Sequence, residues 1–146
     1  MTMNAIFSAG NLLVLPGWLM LVLLPGWRGT QWVAGLAIPV LISIAYAGLI
    51  LTGLSTSDGG GEGNFNSIVG VRALMQSDSG LTAAWFHYLA FDLFIGAWEV
   101  REGRRIGVSQ WLMLPVLLFT FMLGPVGLVL FLIVRAVKQK RVQAPV

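Results

Sequence analysis

The 146-residue chain contains no cysteine and only one histidine. The first absence removes disulfides, thiolate metal sites, paired-cysteine redox chemistry and cysteine nucleophiles. The second removes the multi-histidine iron sites of membrane desaturases and oxygenases. No Ser/His/Asp arrangement of a hydrolase is present either. Charge is also scarce, at 10% of residues, where a soluble domain carries about 25%. No Lys or Arg precedes Arg28, so the basic start of a cleaved signal peptide is missing. The first apolar run is therefore read as a mature helix, with no cleaved signal or transit peptide; a signal anchor is the alternative reading.

What fills the chain is apolar: 57% hydrophobic residues and a mean hydropathy of +0.83. A core this small could not hide that much apolar surface from water. Composition therefore argues against a soluble enzyme, a disordered chain and a collagen-like repeat, and points to a membrane protein. The formal net charge is +3. The basic residues sit at the ends of apolar runs, where lipid headgroups and membrane orientation account for them. There is no nucleic-acid motif.

Four apolar runs predict helices over about 5–25, 32–54, 81–100 and 109–137. The expected fold is an all-α integral membrane protein of one domain, 1–146, a four-transmembrane-helix bundle. Pro16, Pro39 and Pro115 fall inside runs, and Gly124-Pro125 offers a further kink. Residues 55–64 form a polar glycine-rich loop whose Asp58 and Glu62 are a weak divalent-ion motif. Residues 65–76 predict a short amphipathic or re-entrant helix between helices 2 and 3. Arg72 and the tail Arg135, Lys138, Lys140 and Arg141 share one side. Arg28, Arg101, Arg104 and Arg105 then share the other. That count leans weakly to both termini in the cytoplasm.

The third run carries the chemistry. Asp92 falls near its centre, where a carboxylate is expensive unless it is paired, protonated or hydrated. Helical spacing stacks Trp85, Tyr88, Asp92, Gly96 and Glu99 into one stripe, which must face the interior. His87 lies about 140° around from Asp92, so the two flank one cavity without touching. Asp92 is read as a proton donor, proton acceptor or ligand anchor, or as a structural contact to Asn11 or Arg72. Arg72 is a counter-ion or a headgroup contact. Glu99 is read as interfacial, paired with Arg101 or Arg104. His87, Asp92 and Glu99 lack the paired spacing of helical metal sites, so no metal is expected. Trp27, Trp32 and Trp111 suit an interfacial belt. Phe86, Phe91, Phe94, Phe119 and Phe121 line a groove for a long apolar ligand, or contact lipid.

Three segments carry a family resemblance: Phe65-Asn-Ser-Ile-Val-Gly-Val-Arg-Ala-Leu74, Trp85-Phe-His-Tyr-Leu-Ala-Phe-Asp-Leu-Phe-Ile-Gly96 and Gly124-Pro-Val-Gly-Leu128. Together they resemble the ABA4-like family, that of plant neoxanthin synthase with many bacterial members. The resemblance implies a bacterial member in the cell (inner) membrane. It implies an isomerase that opens the epoxide of a carotenoid to a tertiary alcohol and an adjacent allene. The isomerisation needs no cofactor, although a bound carotenoid or lipid is compatible with it. It needs an acid for the epoxide oxygen and a base for a polyene proton. The resemblance assigns Asp92, His87 and Arg72 to catalysis, with Arg72 or Tyr88 steadying the alkoxide. Tyr88, Trp85, Phe91, Glu99, Asn66 and Asn11 surround the substrate. Implied partners are membrane lipid and an apolar polyene; homo-oligomers are allowed. The alternatives are a carotenoid-binding or membrane-complex assembly protein, oxidative carotenoid cleavage, and last a small transporter.

Overall fold

The computed structural model describes residues 2–55 and 63–143, and every regular element among them is helical. Asp58 and Glu62 lie outside the described residues. Helix α1 spans Met3–Leu23, opened by the Thr2 side chain, which accepts from the Ala5 N–H. Its buried face is Gly10, Val14, Gly17, Trp18 and Leu21, at helical spacing. Pro25-Gly26 ends it. The carbonyls this leaves unpaired find partners outside the helix. Thr30 Oγ1 donates to Leu24 O at 2.7 Å, and Gln110 Nε2 reaches Leu21 O and Val22 O at 3.3 and 3.2 Å.

Helix α2 (Arg28–Trp32) runs through a π-turn (Val33–Ala37) into α3 (Ile38–Ser55). The wide turn has a local cause. Pro39 has no N–H for the Gly35 carbonyl, and its ring needs that space. The Ile38 N–H bonds instead to Val33 O. Among the described residues, two helical stretches are long and apolar enough to cross a membrane, Met3–Leu23 and Arg28–Gly53. Helix α4 is short (Ile68–Leu74). Helix α5 is the longest (Asp78–Arg105, 28 residues), about 42 Å. Ser77 caps it, its Oγ accepting from the Gly80 N–H at 3.1 Å. Asp78 in its first turn and Arg104 and Arg105 in its last match the helix dipole.

Helix α5 is the spine of the molecule. Gly10 abuts Phe86, and Gly17 abuts Leu93, so α1 runs parallel to it. Tyr46 lies beside His87, and Gly35 beside Ala97, so α2–α3 run antiparallel. The core between them includes Val14, Leu21, Ile42, Leu93 and Ala97. Small residues at these contacts let the helices approach closely, which is what holds helices together in lipid.

The fourth apolar run departs from expectation. It breaks at Gly124 into α6 (Gln110–Leu123) and α7 (Pro125–Gln143). Helix α6 has 14 residues, about 21 Å, too short for an apolar layer of about 30 Å. It returns along α5: Met113 packs by Gly103, Thr120 bonds Glu99, and Gly124 meets Asp92. Helix α7 then runs back. Phe131 stacks edge-on to Trp98 (5.1 Å), and Arg135 pairs with Glu102 (3.1 Å). The run is therefore a hairpin with its tip halfway along α5, rather than one continuous helix. Two residues make the turn. Gly124 adopts φ +35°, and a Cβ at Gly127 would collide with Thr120 across the hairpin.

The charge count changes as a result. The Arg104 guanidinium lies against Gly26, and Arg101 reaches Gln31. Glu102 binds Arg105 at 2.7 Å and Arg135 at 3.1 Å. Arg28, Arg101, Arg104, Arg105 and the α7 tail thus share one end. Arg72 stands alone at the other, the end where α1 begins. The expected division of basic residues, with the tail beside Arg72, is corrected.

Candidate functional site

One face of α5 carries a connected line of polar and aromatic groups. At its outer end the Trp85 Nε1–H donates to Asn11 Oδ1 at 3.0 Å. Asn11 is oriented in turn by its own Nδ2, which donates to Phe7 O at 2.9 Å. The Trp85 ring stacks on Tyr88 at 5.3 Å. The Tyr88 hydroxyl interacts with the Asp92 carboxyl one turn on. The line deepens along the helix. Trp85 is 38% exposed, Tyr88 and Asp92 are half-buried, and Glu99 is fully buried. This is the stripe that helical spacing predicts.

The hairpin tip closes the stripe from the other side. Both Asp92 oxygens crowd the point where a Cβ on Gly124 would sit, so only glycine leaves the carboxyl its place. Asp92 Oδ2 is buried and has no hydrogen-bond partner among the described residues. Seven residues on, Glu99 Oε2 accepts from Thr120 Oγ1 at 2.8 Å. That hydroxyl also approaches Val116 O at 3.0 Å. Glu99 Oε1 is buried without a partner. Unmade hydrogen bonds of this kind cost about 1–3 kcal/mol each. Two of them side by side on one helix mark a site kept for something other than stability.

Several expected partners are placed elsewhere. Glu99 is buried within the protein and pairs with neither Arg101 nor Arg104; Arg101 reaches Gln31, and Thr120 holds Glu99. His87 lines an apolar slot that Asp92 does not line. It faces α3 and α4, stacked on Phe91 at 4.6 Å and tilted to Tyr46 at 5.8 Å. Arg72 is exposed on α4 beside Asn66, remote from Asp92, and is not its counter-ion. Asn11 contacts Trp85 rather than Asp92. Phe91 belongs with His87. The five phenylalanines do not line one groove: Phe86 is in the core, Phe91 and Phe94 face α3, and Phe121 packs edge-on to Trp18 at 5.4 Å. Thr120 was missed, because nothing in a continuous apolar run marks one threonine as a carboxyl's partner. Gly124 was visible only as a kink.

These features define an all-helical, membrane-associated protein with two carboxyl groups packed against a helical hairpin. The family described as ABA4-like, ABA DEFICIENT 4-like, matches residues 5–131, and the chain belongs to it. The match takes in the stripe, α4 and the hairpin tip. No curated protein and no solved structure matches the chain. Family membership suggests a role connected with carotenoids or xanthophylls.

Proposed function

We propose that the chain is an integral membrane enzyme that isomerises an epoxidised polyene at Asp92. It crosses the bilayer three times, through α1, α2–α3 and α5, and the α6–α7 hairpin enters halfway. The basic end faces the cytoplasm of a bacterial inner membrane. Its concentration of Lys and Arg supports this orientation. Trp27, Trp32 and Trp111, which are 56%, 64% and 81% exposed, suit the interface at that end. The N-terminus then lies on the far side, the reverse of the orientation favoured by a four-crossing count.

One observation carries the functional reading. The Asp92 carboxyl sits at mid-helix against the hairpin tip, with one oxygen unpaired and buried. In the reaction, a proton leaves the polyene carbon beside the epoxide. The adjacent C–O bond breaks, and its electrons stay with oxygen. The electrons of the C–H bond complete the allene, and the oxygen takes up a proton to become a tertiary alcohol. Atoms and electrons balance without a redox partner. A carboxyl group has two oxygens, one to accept the carbon-bound proton and one to deliver a proton to the epoxide oxygen. Tyr88 donates a hydrogen bond to the developing alkoxide. In this scheme Asp92 and Tyr88 do the work earlier assigned to Asp92 and His87. Glu99, held by Thr120, sits beneath them as a positioning residue.

The test is expression in hosts that make epoxidised carotenoids, followed by chromatography of the extracted pigments. A new isomer peak that vanishes in Asp92→Asn and persists in His87→Ala is the expected result. An unchanged profile with the wild-type chain across several such hosts refutes the enzyme reading. Unaltered pigment co-purifying with the chain would then indicate a binding protein.

A further inference from the structure

Helix α4 separates two hollows that share a wall. One is an apolar slot of about 350 Å³ between α3, α4 and α5. Tyr46, Ile50, Ala83, Ala84 and His87 line it, and Gly80 and the two alanines leave it open. Its volume lies within the usual range for ligand pockets, about 300–1,000 Å³. The other is a wider hollow of about 680 Å³ with a polar rim of Asn66, Ser67, Arg72 and Gln76. Phe65, Val71 and Met75 line both, so the two adjoin.

The polar half is suited to an anion. Arg72 is the one basic residue at this end of the molecule, and it makes no ion pair with a described carboxylate. Ser67 Oγ accepts from the Gly70 N–H at 3.0 Å, which leaves its own hydroxyl proton to donate. Asn66 and Gln76 add amide donors. The apolar half offers a chain-shaped space walled by aliphatic and aromatic carbon. The flanking Phe65, Ile68 and Val69 are 87%, 79% and 72% exposed, as befits a segment lying in the membrane interface.

We propose that these two adjoining hollows bind one phospholipid, with its phosphate on Arg72 and one acyl chain in the slot beside His87. The charge and the apolar slot lie in the order in which a lipid carries its head and its tail. Neither half alone explains the other. A free phosphate has no use for the slot, and a polyene has none for Arg72. His87 then serves as part of the slot wall, which accounts for its separation from Asp92. The site does not depend on the chemistry at Asp92.

Delipidated protein in detergent, titrated with lipid and read by native mass spectrometry, tests this. Phosphatidylglycerol should bind at least about tenfold more tightly than diacylglycerol, reflecting a charge-assisted contact. Arg72→Gln should erase that difference, and Arg72→Lys should restore part of it. Ala84→Phe and, from the opposite wall, Ile50→Trp should each fill the slot and lose the lipid while keeping helical circular dichroism. Asp92→Asn should bind lipid as the wild type does, whatever it does to pigments. Equal binding of diacylglycerol and phosphatidylglycerol by the wild type overturns the proposal. So does displacement of the lipid by inorganic phosphate alone, or undiminished binding when both walls are filled.

Discussion

Gly124→Ala separates the hairpin from a fourth crossing by energy. The substitution adds one methyl group and asks two things of the site. The backbone must hold an L side chain at φ +35°, which costs about 1–2 kcal/mol. The methyl group must also displace the Asp92 carboxyl, which occupies its position. Overpacking of this kind costs about 1–3 kcal/mol. The expected loss of stability is therefore about 2–5 kcal/mol, measured by thermal or denaturant unfolding in detergent. Conversion of pigment should fall about a hundredfold, the scale of a misplacement near 1 Å at a reacting group. Gly48→Ala is the control. Nothing lies within 4 Å of its new methyl, so a helix-interior alanine should stabilise by up to about 1 kcal/mol. The two contributions at Gly124 can be told apart. In an Asp92→Ala background the methyl finds room, and only the backbone cost should remain, a coupling of about 1–3 kcal/mol. If Gly124→Ala matches Gly48→Ala in stability, or if its penalty is unchanged without the Asp92 side chain, Asp92 does not rest on the hairpin tip.

Two further predictions concern the same architecture. The chain has no cysteine of its own, so single cysteines report sidedness without background. Ser109→Cys and Gln139→Cys should react with an impermeant maleimide from the same side of the membrane, and Ser67→Cys from the other; labelling of Ser109 and Gln139 from opposite sides would restore the fourth crossing. Glu102 joins α5 to α7, and Arg105, with help from Arg135, holds its carboxyl below the usual glutamate range. Its contribution is complete above the ordinary value of about 4.3 and fades as pH falls through the lower folded value. Acid should therefore loosen the α7 tail, as followed by protease cutting after Lys138 or Lys140. Glu102→Gln should be loose at neutral pH and lose this acid dependence, and an unaltered acid profile would refute the linkage.

The stripe on α5 was legible because it lies on one helix. Periodicity alone aligns Trp85, Tyr88, Asp92 and Glu99, and no knowledge of the other helices is needed to do so. Partners were harder. Residue numbers place Glu99 beside Arg101, yet two steps along a helix turn about 200°. Arg101 accordingly reaches α2, while Glu99 meets Thr120 on α6. The 140° between His87 and Asp92 was also legible, but it does not say which helices fill the two sides. Helices α3 and α4 fill the His87 side, and the hairpin tip the Asp92 side. The hairpin itself was hidden by its composition. Residues 110–137 are apolar on both sides of Gly124, and hydropathy cannot tell a helix that crosses from one that enters and returns. The distinction rests on one backbone angle and on small residues at two positions.

A half-depth hairpin also bears on how a substrate arrives. Were α6 and α7 one crossing helix, it would shield the α5 stripe over its full height and bury Asp92 from all sides. The turn at Gly124 leaves α6 and α7 beside Glu99 and Trp98, while beyond the tip Trp85 meets Phe7 and Asn11 of α1. Trp85 is partly exposed there, and Tyr88 and Asp92 are half-buried. A polyene does not leave the bilayer readily, because every carbon exposed to water carries a hydrophobic penalty. If the proposed polyene is the substrate, its route to Asp92 must therefore open sideways into lipid. The hairpin provides that opening on one half of the membrane and closes the other half, where the ion pairs of Glu102 anchor its second arm. Depth of insertion then sets reach. In the proposed reaction, an end ring entering beside Trp85 would travel along the stripe until it meets the tip, with Asp92 at that level.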